Sequence, residues 1–122
     1  MTIAITSIGE RGLELNVRGK LEESDYRIFR PLAEDRIREH GTVSLLVRVS
    51  DFQGWTPSAM WEDLKFDVAH YSDVSRLALV GDEPGTKWMA WVSKPFTRAD
   101  VAHFPEDKLE QARRWIRMPK AA

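Results

Sequence analysis

Cysteine is absent from this 122-residue chain, which excludes disulfides, a Cys-based zinc site and a thiol nucleophile. Histidine is scarce. His40, His70 and His103 stand too far apart for metal-ligand spacing, and no H-E-x-x-H pattern occurs. Neither charge is in excess: 18 Lys and Arg face 19 Asp and Glu, without the basic surplus that accompanies nucleic-acid binding. The basic cluster "RRWIRMPK" at 113–120 is expected to be the solvated face of a last helix. No uncharged apolar run approaches the length that spans a bilayer, and the opening "MTIAITSIGE" lacks the basic start and long apolar stretch of a secretory signal. A cytoplasmic protein is therefore expected, with no metal or other cofactor, no nucleic-acid partner and no membrane span.

Catalytic signatures are missing as well. There is no G-x-S-x-G elbow and no G-x-x-x-x-G-K-[ST] phosphate loop. "GDEPGTK" at 81–87 has two glycines, a Thr and a Lys, but the spacing is too short and Asp82 and Glu83 repel phosphate. It is expected to be a strand-to-helix turn. His70, between Asp67 and Asp73, has the neighbours of an oriented base, yet a surface histidine near acids is the simpler account.

What the chain does contain is periodicity. "TIAITSIG" and "GLELNVRG" alternate around "GERG", as an antiparallel hairpin with one wet face would. In the second, Leu13, Leu15 and Val17 oppose Glu14, Asn16 and Arg18. Tyr26, Phe29, Ala33 and Ile37 then fall near helical spacing, with Ser24 as the expected cap, a kink or break at Pro31, and Gly41 as the stop. "TVSLLVRVSDF" is a strand with Val43, Leu45, Val47 and Val49 on one face and Ser44, Leu46, Arg48 and Ser50 on the other. A helix from Pro57 to about Tyr71, the strand "VSRLALVGD", a helix in "PGTKWMAWVSKPF", the strand "ADVAHF" and the helix "PEDKLEQARRWIRM" complete the chain. The order β-β-α-β-α-β-α-β-α predicts one α/β domain over residues 1–122, with a mixed, mostly parallel five-stranded sheet and right-handed crossovers. The alternating strands put helices mainly on one side of it.

The best-defined candidate site is the junction "DFQGWTPSAMWEDLKF", residues 51–66. Pro57, Met60, Trp61, Leu64, Val68 and Tyr71 make one helical stripe, and Trp88, Trp91, Val92 and Pro95 another. Two accounts fit these aromatics. They seal two helices onto the sheet as core, or Phe52, Trp55, Met60, Trp61, Phe66, Trp88 and Met89 line a cleft for an apolar ligand. Parallel sheets hold ligands at the carboxyl ends of their strands, where "SDFQGW" and "GDEPGTKW" fall. Leu46 and the apolar stretch near the third expected helix are candidate surfaces for a homodimer, and both could equally be covered within the monomer.

Four stretches, "DYRIFRPLAE" (25–34), "DFQGWTPSAMWEDLKF" (51–66), "RLALVGDEPGTKWMAW" (76–91) and "ADVAHFPEDKLEQARRWI" (99–116), together resemble the SpoIIAA-like family, relatives of the STAS domains of bacterial anti-sigma-factor antagonists. The resemblance implies a mixed sheet wound with β-α units and a non-enzymatic protein. Antagonists of that type act by protein–protein contact, switched by phosphorylation of a serine in an Asp-Ser-Ser-Gly loop. Here the place reads Asp51-Phe52-Gln53-Gly54-Trp55-Thr56-Pro57-Ser58, so that motif is absent, and Thr56 and Ser58 are weak acceptor candidates that serve equally as helix caps. The fold also resembles lipid-transfer domains of the CRAL-TRIO type, which implies a lipophilic small-molecule ligand. A signalling module that binds a protein partner is the alternative.

Overall fold

The computed structural model describes residues 3–55, 73–81 and 100–118, and for residues 20–21 and 51–55 the backbone alone. Five strands form one sheet in the spatial order β1-β2-β3-β4-β5: β1 (Ile3–Ile8), β2 (Gly12–Leu21), β3 (Val43–Trp55), β4 (Val74–Val80) and β5 (Asp100–Phe104). β1 and β2 are antiparallel, and each later neighbour pair is parallel. The mixed, mostly parallel sheet expected from the strand order is therefore what the chain forms. The expected helices from Pro57 to about Tyr71 and within 84–96 lie outside the described residues.

The helix α1 (Glu23–His40) follows β2. Its cap is Glu22, whose backbone N–H donates to Asp25 Oδ2 at 2.7 Å, so the helix starts ahead of the expected Ser24 cap. Pro31 does not break it. The residue is exposed, on the side where water can reach the carbonyl that a proline leaves without its amide donor. Gly41 ends the helix in the left-handed region at φ 83, its N–H donating to Ile37 O at 2.7 Å. A Cβ there would meet nothing within 4 Å, so Gly41→Ala tests backbone strain alone. We expect a loss of about 1 kcal/mol, read from urea unfolding with an unchanged m value.

Two cores form, one on each face of the sheet. On the first, α1 lays Phe29 and Ala33 over Ile3, Leu13, Leu15, Val17, Val43 and Leu45. The alternation of β1, β2 and β3 dictates this, since odd-numbered positions of these strands share a face. On the second face, a 3-10 turn (Glu106–Lys108) leads into α2 (Leu109–Arg117). That helix buries Ala112 and Ile116 against Ile8, Leu46, Ala78 and Val80.

The second core corrects two expectations. The polar face of β2 was expected to be wet; Arg18 is exposed, but Glu14 is 6% exposed beneath α2. Leu46 is 0% exposed, covered within its own chain, so it offers no dimer surface. The basic cluster divides likewise. Arg114 and Arg117 are exposed, whereas Arg113 turns inward to Glu14.

Candidate functional site

The carboxyl edge of the parallel strands is shaped by unequal strand lengths. Pairing of β3 with β4 ends at Arg48↔Val80. Beyond it β3 stays paired with β2 through Ser50, Phe52 and Trp55, opposite Arg18, Gly19 and Leu21, with register shifts on either side of Gly19. β3 thus runs past the expected strand end at Phe52 to Trp55, as a two-stranded extension with β2 beyond the end of β4. Phe52 and Trp55 occupy backbone positions on this extension. Thr56, Ser58, Met60, Trp61, Phe66, His70, Trp88 and Met89 lie outside the described residues.

Side chains near the edge are committed to one another. Arg48 donates to Glu106 Oε1, tying β3 to the 3-10 turn. Phe104 and Trp115 meet with ring centroids 5.8 Å apart. Toward the other, amino end of β4, the Arg76 guanidinium lies 4.7 Å from the Trp115 ring centroid and donates from Nη1 to Trp115 O at 3.1 Å, a cation–π contact drawn out of water. His103 Nε2 lies 2.9 Å from Gly81 O, an acceptor to which the ring nitrogen donates. At the amino edge instead, where α1 ends just before β3, His40 Nε2 is 3.7 Å from Glu39 Oε2.

The strongest polar pair lies inboard. Arg113 Nε and Nη2 donate to Glu14 Oε1 and Oε2 at 2.7 Å and 3.0 Å, a two-pronged contact that matches guanidinium to carboxylate. Arg113 also reaches Glu110. The hydrogen bonds and charge of Arg113 hold the Glu14 carboxyl below the usual carboxylate range against the opposing effect of burial, with Asn16 and Arg48 assisting. The pair raises the Arg113 guanidinium in turn. No sequence motif marks it, because its partners are 99 residues apart. The signal available was weak: Glu14 stands on the polar face of β2 beside Asn16 and Arg18, and Arg113 falls one turn after Leu109.

At the opposite, amino edge of the strands lies a cleft of about 540 Å³. Ile8, Val74 and Ile116 form its apolar walls, Ser44 and Ser75 its polar floor, and Arg11 and Arg117 its rim. The two serine hydroxyls hydrogen-bond each other at 2.7 Å. Their closeness arises from the register shift after Val43, which leaves Ser75 as an extra residue between the pairs Val43↔Val74 and Ser44↔Arg76. Among the described residues no group of three or more His, Asp or Glu could hold a metal ion, and no helix is long and apolar enough to cross a membrane.

Comparison with known proteins gives a consistent picture. No functionally curated protein matches the chain. The crystal structure of an uncharacterised protein with a SpoIIAA-like fold from Shewanella loihica PV-4 superposes with a TM-score of 0.75 at 28% identity, over 93% of this chain and 91% of that one. The SpoIIAA-like family model matches residues 13–117, from the start of β2 to the end of α2. With β2 to β5, α1, α2 and the β2–β3 extension lying within that span and β1 just ahead of it, the chain belongs to the SpoIIAA-like family.

Proposed function

We propose that residues 1–122 form a single non-enzymatic SpoIIAA-like module in the cytoplasm that binds a lipophilic small molecule at the carboxyl edge of its sheet. The observation that carries this is the β3 extension: Phe52 and Trp55 belong to a strand that outruns β4. Such steps at the carboxyl edge of a parallel sheet are where ligands collect. The residues that would join them are Met60, Trp61, Phe66, Trp88 and Met89, whose aromatic and thioether groups supply apolar contact without fixed polar geometry. A non-catalytic role is supported by the nearby ionisable groups. Arg48, Glu106 and His103 are engaged in contacts between elements of the fold.

Native mass spectrometry of freshly purified full-length protein, followed by titration with oleate under tryptophan fluorescence, tests this. We expect a bound mass that is lost on delipidation and a saturable spectral change. Trp55→Ala should weaken oleate binding by about tenfold, the loss of one large apolar contact. Absence of both the bound mass and the spectral change removes the proposal. A protein partner released by Thr56→Glu or Ser58→Glu would instead favour a signalling module.

A further inference from the structure

We propose that the chain self-associates through β1, two copies joining their sheets edge to edge in antiparallel fashion about a two-fold axis perpendicular to the sheet. β1 is the outermost strand, paired with β2 on one side and with no described strand on the other. An edge presents alternating N–H and C=O groups ready to pair with another strand, and monomeric proteins blunt such edges with charge, proline, bulges or brevity. β1 has none of these. Its six residues, IAITSI, carry no charge and no proline, and its register runs unbroken from Ile3↔Val17 to Ile8↔Gly12. The opposite edge is defended. β5 is five residues long, begins with the exposed Asp100, and runs into Pro105.

Symmetry selects a second copy as the occupant. A perpendicular two-fold axis keeps both faces of the sheet matched, so residues opposite each other must share a face and differ by an even number. With the axis at Thr6, Thr6 meets Thr6, Ala4 meets Ile8 and Ile5 meets Ser7. With the axis at Ile5, Ile5 meets Ile5, Ala4 meets Thr6 and Ile3 meets Ser7. Neither register opposes like charges on the strands themselves; a cation beside β1 is Arg36, which donates to Ser7 Oγ at 2.7 Å from the α1 side. The exposed side chains, Ala4, Thr6 and Ser7, are small enough for two strands to approach at the usual spacing. The joined strands would exchange about six backbone hydrogen bonds and extend the five-stranded sheet to a closed, ten-stranded dimer. The area buried is small, so the affinity belongs at the weak end of specific interfaces.

Analytical ultracentrifugation of the full chain from about 5 µM to about 500 µM tests the proposal. We expect the weight-average mass to rise from monomer towards dimer across this range. Thr6→Lys, whose ammonium would face Glu14 of its own chain across the β1–β2 pair, should remain monomeric, and so should Ala4→Lys. Gln111→Lys, on the exposed side of α2, should dimerise like the parent. Independently of any variant, amide exchange in β1 should slow as concentration rises. A parent that stays monomeric, or β1 lysine variants that dimerise as the parent does, overturns the proposal.

Discussion

Arg113→Met should destabilise the fold by about 3 kcal/mol, the cost of leaving a buried carboxylate without its partner, and lower Tm by about 10 °C. Methionine keeps most of the apolar stem that packs along α2, so the change isolates the guanidinium. In the parent, both oxygens of Glu14 accept from Arg113, at 2.7 Å and 3.0 Å, and the Glu14 side chain is 7% exposed. The substitution leaves that carboxylate under α2 with the Asn16 amide at 3.5 Å and the more distant charge of Arg48. Adding Glu14→Gln removes the stranded charge, so the double variant should lose less than the single one. That sign of non-additivity marks a coupled pair. Urea unfolding of the three proteins at pH 7 gives all the terms. If Arg113→Met costs no more than an exposed-helix substitution, the pair contributes nothing.

The same pair sets an acid dependence whose sign is fixed by direction. The folded Glu14 carboxyl lies below the usual range, so the folded chain binds fewer protons there than the unfolded chain. Its stabilisation is complete above the unfolded carboxylate pKa of about 4.3. It is lost as pH falls from there through the lower folded value. In Arg113→Met the desolvation of Glu14 is no longer opposed by its main partner, so protonation relieves rather than harms that variant. The stability gap between the two proteins should therefore narrow as pH drops from about 6 to about 3. A gap that stays constant over that range would mean the carboxylate is not the linked group.

How far these features were legible in the sequence depends on how far apart their partners lie. β1, β2 and β3 declare themselves through alternation. Gly41 marks the end of α1 because a local backbone conformation needs it. Parallel pairing follows from strands separated by long connections. Pro31 misled because local rules exclude proline from helix interiors, whereas the exposed side of a packed helix tolerates it. Glu14 misled for a different reason. A charged residue alternating with leucines looks solvated until a helix nearly a hundred residues later supplies Arg113. The extension of β3 through Gln53 and Gly54 was obscured by residues that favour turns, and it exists because β2 is long enough to pair with it as far as Leu21. Of the candidate pocket, Phe52 and Trp55 have backbone positions on that extension, and the remaining residues lie outside those described.

Gly12→Ala should cost about 2–3 kcal/mol through a clash that no side-chain rotation relieves. Gly12 closes the β1–β2 hairpin opposite Ile8. A Cβ there would stand 2.4 Å from the Ile8 carbonyl oxygen, 3.3 Å from Ile8 Cβ and 3.4 Å from Ile116 Cγ2. The first contact is with backbone, so the end of β1 must move away from β2. Ile8 then leaves the cluster it shares with Leu46, Ala78 and Ile116, and α2 loses a supporting wall. The substitution should accordingly speed amide exchange in two places distant in sequence, the turn around Glu10 and the last turn of α2. Exchange in α1, on the other face, should follow only the global loss of stability. Equal acceleration of α1 and α2 would mean that the damage passes through the whole sheet. Faster exchange at the turn alone would show that α2 docks independently of Ile8.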